Sequence, residues 1–389
     1  MGDIMFKRIF DRHKLEITII SCGDAGQDIG AEIIDTLKER GAAVKSLAIS
    51  SNLVPHSQAK KFQNRINIGD NQDGFAKKLE DAIEVMNTKR DVLRKEIKSV
   101  LSSEQEGLLL ITTGAGATGL GGTIVVLDIL YKEFKRIPPV LTVLPESFEN
   151  SRVQYNTAMF LYDIIFKSTA RGNAVILLDN NPTVKEYQLP FSQVSRKRIE
   201  TIPIAIADLL YASFEPSISD EFTAEVTDLL ESLHTPGISV FVAEDLSNDS
   251  GEDSSRIQDV LSDSVIEMTS LPRDEIFTAK NAFITIFNIE KSEDKLSLQT
   301  EFEARKLFRE FHENRPYVKF VNEDNNAMIK LRAVIAGLPL PTRIIQIMKI
   351  ARDSRKKVIS DEYSLSNEII NLDVERINEL NSNLVAIFK

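Results

Sequence analysis

The spacing of apolar residues along this chain changes period repeatedly. Short, nearly continuous apolar runs occur at 15–21 (LEITIIS), 44–50, 108–112, 137–144 and 174–179. Between them lie longer segments with apolar residues every three or four positions. One follows CGDAGQDIG and runs to Arg40. Another spans 75–102 through Phe75, Leu79, Ile83, Met86, Leu93, Ile97 and Leu101. Others follow Gly122, cover 153–166 and cover 191–213. The short runs predict buried strands and the periodic segments predict helices. Strand and helix in alternation predict a parallel sheet covered on both faces.

Two of the strand-to-helix turns are rich in glycine. The first is GDAGQDIG at 23–30. The second carries five glycines within nine residues, Gly114 to Gly122, directly after the run Leu108–Thr112. Glycine lets a backbone approach a ligand closely, and unpaired N–H groups at a helix start favour an anion. The first turn spaces its glycines G-x-x-G-x-x-x-G and lacks the dinucleotide fingerprint. The second strand ends in Ser50, Ser51 and Asn52, with no acidic residue for a ribose,. No G-x-x-x-x-G-K-[ST] is present, so this is no ordinary P-loop,. Two glycine loops some ninety residues apart predict a polyphosphate held from both sides,.

The second half is less regular. The stretch 53–74 is polar and predicts a loop. Residues 191–213 predict a long helix capped by Ser192 and kinked or broken at Pro203,. Strands are predicted at 235–243 and 282–289. The Ser/Asp/Glu-rich stretch 246–263 between them predicts a mobile loop. A helix is predicted at 301–312, a hairpin of two strands over 317–336 turning at NEDNN, a helix at 342–354, and helical spacing from 361 onward.

Composition narrows the class. The 389 residues carry a net charge of −11, which disfavours a direct nucleic-acid binder,. A single cysteine and four histidines predict neither a disulfide framework nor a zinc site,. No apolar run reaches about 18 residues, so no membrane span is predicted. The start, MGDIMFKRIFDRHK, has no apolar core of a secretory signal, and the cytoplasm is the expected compartment,.

Read in order, the motifs resemble those of the tubulin/FtsZ superfamily. GDAGQDIG resembles the first nucleotide loop of tubulins, AGATGLG at 115–121 their phosphate loop, PESFENSR at 145–152 the FtsZ loop after the next strand, and LLDN at 177–180 the tubulin I-D-N. HTPGISV at 234–240 and VIAGLPLPTR at 334–343 resemble the plasmid- and phage-encoded TubZ type. The resemblance spans roughly 15–350. It implies an α/β fold with a parallel, Rossmann-like nucleotide domain over 1–190 and a central helix at 191–214. A smaller α/β domain at 215–345 and C-terminal helices at 346–389 follow.

The resemblance also implies roles. Gly23, Asp24, Ala25, Gly26 and Gln27 would lie along the phosphates of GTP or GDP and any Mg²⁺. Asn52 would sit near the nucleotide, and Gly74 on a loop sensing the γ-phosphate. Ala115, Gly116, Ala117, Thr118 and Gly119 would wrap the phosphates. Glu149 would reach the ribose and Arg152 the phosphate side. Asn180 would read guanine and Phe191 would stack on the base. The catalytic loop would be Thr223–Asp228, supplied by the next subunit, with Glu225 and Asp228 acting on water. Alanine stands for two usual glycines at 115 and 117, leucine for Ser or Thr at 120, and glutamate for aspartate at 225.

The implied function is GTP hydrolysis in head-to-tail filaments that position plasmid or phage DNA, with self and a DNA-binding adaptor as partners. The ending NSNLVAIFK lacks the lysine-rich tail through which TubZ-type proteins often meet such an adaptor. The alternative is a nucleotide-binding regulator of filaments that hydrolyses slowly or not at all.

Overall fold

The computed structural model describes residues 16–39, 42–51, 60–69, 75, 78–101, 106–167, 174–179, 191–218, 223–246, 256–269, 271–287, 306, 311, 316–321 and 329–358. Asn52, Gly74 and Asn180 lie outside them, as do the side chain of Phe191, the tail from 361, and 301–312 apart from residues 306 and 311.

The first half alternates as expected. β1 (Glu16–Cys22) leads into α1 (Asp24–Glu39), then β2 (Ala43–Ser50) and β3 (Asn64–Asn67). Helices α2 (Leu79–Thr88) and α3 (Arg90–Val100) precede β4 (Glu106–Thr113), which feeds α4 (Ala117–Phe134). β5 (Val140–Leu144), α5 (Ser151–Leu161) with a π-turn at Tyr162–Lys167, and β6 (Ala174–Asp179) complete it. These six strands are all parallel, in the order β3-β2-β1-β4-β5-β6. Central β1 and β4 are buried on both faces, which explains their unbroken apolar runs,.

The second half continues the same sheet. The central helix α6 (Phe191–Phe214) and α7 (Val226–His234) lead to β7 (Gly237–Leu246), which pairs parallel to β6. α8 (Arg256–Thr269), the short α9 (Arg273–Ile276), β8 (Asn281–Phe287), β9 (Tyr317–Val321), β10 (Ile329–Leu338) and α10 (Thr342–Val358) follow. The sheet ends β7-β10-β8-β9. α10 packs along α5, bringing this half back onto the first. No helix among the described residues is long and apolar enough to cross a membrane.

Several expectations fail for identifiable reasons. The polar stretch 53–74 contains strand β3, a four-residue edge strand whose NRIN sequence lacks an apolar alternation,. The single helix expected over 75–102 is two, parted at Lys89. α6 begins at Phe191, which puts Ser192 inside it. It also runs unbroken through Pro203. Losing one backbone bond costs about 3 kcal/mol, which burial of Ile202, Ala205, Ile206, Leu209 and Leu210 offsets,.

The Ser/Asp/Glu stretch expected to be a loop instead enters α8 at Arg256. Ile257, Leu261 and Val265 line one buried face at i, i+4, i+8, while Ser262 and Thr269 fold back onto the carbonyls of Gln258 and Val265,. β9 and β10 form no hairpin. β10 lies between β7 and β8, antiparallel to both, and β9 pairs parallel to β8 at the edge. The apolar core of β10, Ala333–Leu338, demands a central place; the shorter β9 takes the edge.

Candidate functional site

The two glycine loops meet. β1 and β4 are neighbours, so the starts of α1 and α4 lie side by side at the C-terminal edge of the sheet. Gly23 has φ +78°, and a Cβ there would sit 2.8 Å from the Gly119 Cα. A Cβ on Gly119 would meet Thr112 Oγ1 at 2.9 Å and the Cys22 carbonyl at 3.0 Å. Only two bare backbones can pack this closely. The first-turn N–H groups of two long helices thus converge, which concentrates positive partial charge.

Space for a guest opens beside them. A Cβ on Gly116, the residue before α4, would touch nothing within 4 Å. Ala115 and Gly116 are half-buried, as is Thr118, whereas Ala117 is buried. Gln27 is 2% exposed, yet its Nε2 has no partner among the described residues; Arg152 Nε, also buried, has none among them. Unpaired donors of this kind fit an anion. Asp24 accepts a 2.7 Å hydrogen bond from Ser50 Oγ, and Ser51 Oγ pairs with Thr118 Oγ1 at 2.8 Å. Ser50 and Ser51 were visible as the end of β2, but their sequence carried no cue that they would brace both loops. Leu120 is fully buried and faces the core, so position 120 offers nothing to a phosphate.

The loop after β5 forms the next wall. Asn150 caps α5 by accepting from Val153 N–H, which places Arg152 in its first turn. Glu149 N–H bonds to the Glu146 carbonyl. Glu146 itself is 4% exposed. Burial, with the nearby Glu149 charge, pushes its carboxyl up to about 7,. Arg343, at the start of α10, reaches this region from the far end of the chain. It donates to the Pro145 carbonyl at 2.7 Å and lies 3.7 Å from the Asp179 carboxylate. All of these expected binding residues that are described, from Gly23 to Gln27, Ala115 to Gly119, Glu149 and Arg152, lie on three strand-to-helix turns, in the loops or the first turns of the helices, at one edge of the sheet.

Glu225 and Asp228 lie elsewhere. Glu225 is extended and exposed just ahead of α7, and its N–H donates to Asp228 Oδ2 at 2.7 Å. They bracket the helix start instead of sharing a face of it. One Asp228 oxygen therefore caps its own helix. The 24 residues of α6, which precede this loop in the chain, span about 36 Å at the usual rise,.

Sequence and structure comparisons agree with this geometry. No family model matches the chain. The tubulin-like protein TubZ of Bacillus cereus is 22% identical over 291 residues, covering 69% of this chain and 65% of that protein, just under two thirds of its length. A GTPγS-bound protofilament of CetZ2 from Haloferax volcanii matches with TM-score 0.69 at 18% identity, covering 89% of this chain and 100% of that one. A GTPγS-form protofilament of TubZ from Bacillus thuringiensis serovar israelensis gives 0.67 at 16%, covering 89% and 92%. An FtsZ dimer from M. jannaschii gives 0.61 at 17%, covering 86% and 92%. The parallel sheet, the apposed glycine loops and these likenesses together give this chain the fold of the tubulin/FtsZ superfamily, with TubZ-type proteins among its relatives.

Proposed function

We propose that the chain binds GTP and GDP between its glycine loops, assembles head to tail into filaments, and hydrolyses GTP where subunits meet. The observation that carries this reading is the apposition of Gly23 and Gly119 beside the open space at Gly116, where two helix starts converge. Solved CetZ2 and TubZ protofilaments with GTPγS support the choice of guanine nucleotide and of self-assembly.

Backbone N–H groups of Asp24, Ala25 and Gly26, the Gln27 side-chain amide, and backbone N–H groups from Ala117 to Gly119 hold the phosphates. Arg152 adds charge, Glu149 takes the ribose, Asn180 reads guanine, and Phe191 stacks on the base. Asn52 and Gly74 complete the rim. A Mg²⁺ would neutralise phosphate charge there, and Asp24, fixed by Ser50, offers it a carboxylate oxygen,. Glu225 and Asp228 of the adjoining subunit orient a water and accept its proton as it attacks the γ-phosphorus and the β–γ bridging oxygen departs. A heterologous contact of this kind does not close, so it propagates as a filament. Positioning plasmid or phage DNA through an adaptor is the use that the TubZ likeness supports.

One observation favours the second reading, a slow or non-hydrolysing regulator. Asp228 already spends an oxygen on its own helix. Electron microscopy and phosphate release with GTP and GTPγS separate the two. Filaments with GTP that disassemble as phosphate appears support the first reading. Filaments without phosphate release support the second, and absence of assembly with either nucleotide removes the filament claim.

A further inference from the structure

Edge strand β9 pairs with β8 on one side, and on it both Ile218 and Thr223, which flank the segment approaching the proposed catalytic loop, find backbone partners. Ile218 N–H donates to the Phe320 carbonyl at 3.0 Å, and Thr223 forms an antiparallel bridge with Lys319. The side chains of β9 reach the helices on either side of this segment. Tyr317 Oη donates to Glu231 of α7 at 3.1 Å. Lys319 Nζ donates to the carbonyl of Ser213, in the last turn of α6, at 3.1 Å. Val321 packs with Tyr211 and Ala212 of α6.

Lys319 is thus bound through its backbone to one end of the segment and through its amine to the other. It is 4% exposed, an unusual place for an ammonium group,. The carboxylates that act on it are Glu215 after α6 and Glu225 and Asp228 at α7. β8, its partner strand, has no charged residue. A cation also suits the last turn of a helix, where carbonyls lack partners.

We propose that Lys319 is a positioning residue for the catalytic loop. It pins the end of the central helix and draws Glu225 and Asp228 into place by charge, so hydrolysis at a subunit contact depends on it and nucleotide binding does not. This rests on the reading of Thr223–Asp228 as the hydrolytic loop. Burial pushes the amine down to about 8, while Glu225, Glu215 and Asp228 pull it back up,. Above that pH the amine is neutral and its hold on the carboxylates lapses. The fold itself responds oppositely. A lysine with a lowered folded pKa leaves the unfolded chain holding more protons between about 8 and the ordinary lysine value, so stability rises with pH there,. A purely structural lysine would therefore show no loss above pH 8.

The test uses the full chain with Lys319→Met and Lys319→Arg. Measured are GTP affinity, phosphate release per pelleted protein across pH, and hydrogen exchange of residues 223–229. Lys319→Met is expected to bind GTP as the parent does, to exchange at 223–229 at least about tenfold faster, and to release phosphate at least about tenfold more slowly. Lys319→Arg, charged at every pH used, restores release and abolishes its decline above about pH 8,. Unchanged exchange and parental release in Lys319→Met overturn the proposal. So does a loss of GTP affinity equal to the loss of release. Faster exchange in Lys319→Met beside a parent that forms filaments yet releases no phosphate upholds the positioning and overturns the hydrolytic reading of the loop.

Discussion

Gly23 and Gly119 touch backbone to backbone: a Cβ on the first would lie 2.8 Å from the Cα of the second, at φ +78°. They join two strand-to-helix turns that the sequence separates by almost a hundred residues. Substitutions here divide by what the added methyl meets. Gly23→Ala strains the backbone and forces the loops apart, and its expected cost is about 1–3 kcal/mol of fold stability. Gly116→Ala meets open space. It is expected to leave thermal unfolding unchanged and to weaken GDP binding roughly tenfold, about 1.4 kcal/mol, by intruding on the phosphate. Differential scanning fluorimetry beside calorimetry with GDP checks both; parental GDP affinity in Gly116→Ala would sink the placement of the phosphates.

Glu225 and Asp228 separate by role. Glu225→Ala removes an exposed side chain and its half of the capping box at α7, at about 1 kcal/mol,, so the fold and nucleotide binding are expected to persist while phosphate release falls. Asp228→Ala also removes a helix cap, at about 1 kcal/mol, because Glu225 N–H loses its acceptor. Asp228→Asn keeps the cap and loses the charge. Stability is therefore expected to recover in Asp228→Asn while release does not. Recovery of both would assign Asp228 to the fold alone.

Glu146 is expected to make nucleotide binding depend on pH. Its folded pKa is raised to about 7, so it is neutral below that pH and adds a negative charge beside the proposed phosphate site above it. Its contribution to fold stability runs the same way, present below the unfolded value and lost as pH rises through about 7,. GDP affinity is expected to fall as pH rises through this range, and Glu146→Gln to flatten the dependence. Titration calorimetry at several pH values reads it directly; an identical slope in Glu146→Gln would refute the assignment.

Arg343 ties the start of α10 to the Pro145 carbonyl and the Asp179 carboxylate, all three residues being buried. Arg343→Met leaves Asp179 without this partner, and removal of one member of a buried pair costs about 3–5 kcal/mol. Adding Asp179→Asn is expected to restore part of that loss. Urea unfolding of the parent, the two single variants and the double variant measures the coupling, and strict additivity would show that the pair does not interact.

What was legible in the sequence follows from locality. β1–α1 and β4–α4 announce themselves because apolar run, glycine turn and helical period are contiguous, and the motifs that place the phosphates are contiguous too. Composition misled at 256–269, where acids and buried, internally bonded serines hid the Ile257, Leu261, Val265 stripe. Propensity misled at Pro203, because burial along α6 outweighs one missing hydrogen bond. The hairpin expectation failed because strand order is a long-range choice, settled by how much of β10 must be covered. Lys319 and Arg343 were invisible for the same reason: their partners lie 106 and 198 residues away. Asn52, Gly74 and Asn180 remain expectations from the motif resemblance alone.

Light scattering and phosphate release followed together in one sample, over a series of protein concentrations with GTP, bear most directly on hydrolysis between subunits. A site completed by a neighbour predicts no release below a threshold concentration, and above it release in proportion to polymer. Release in proportion to total protein, with no scattering, would mean that each subunit hydrolyses alone and that Glu225 and Asp228 do not act across a contact.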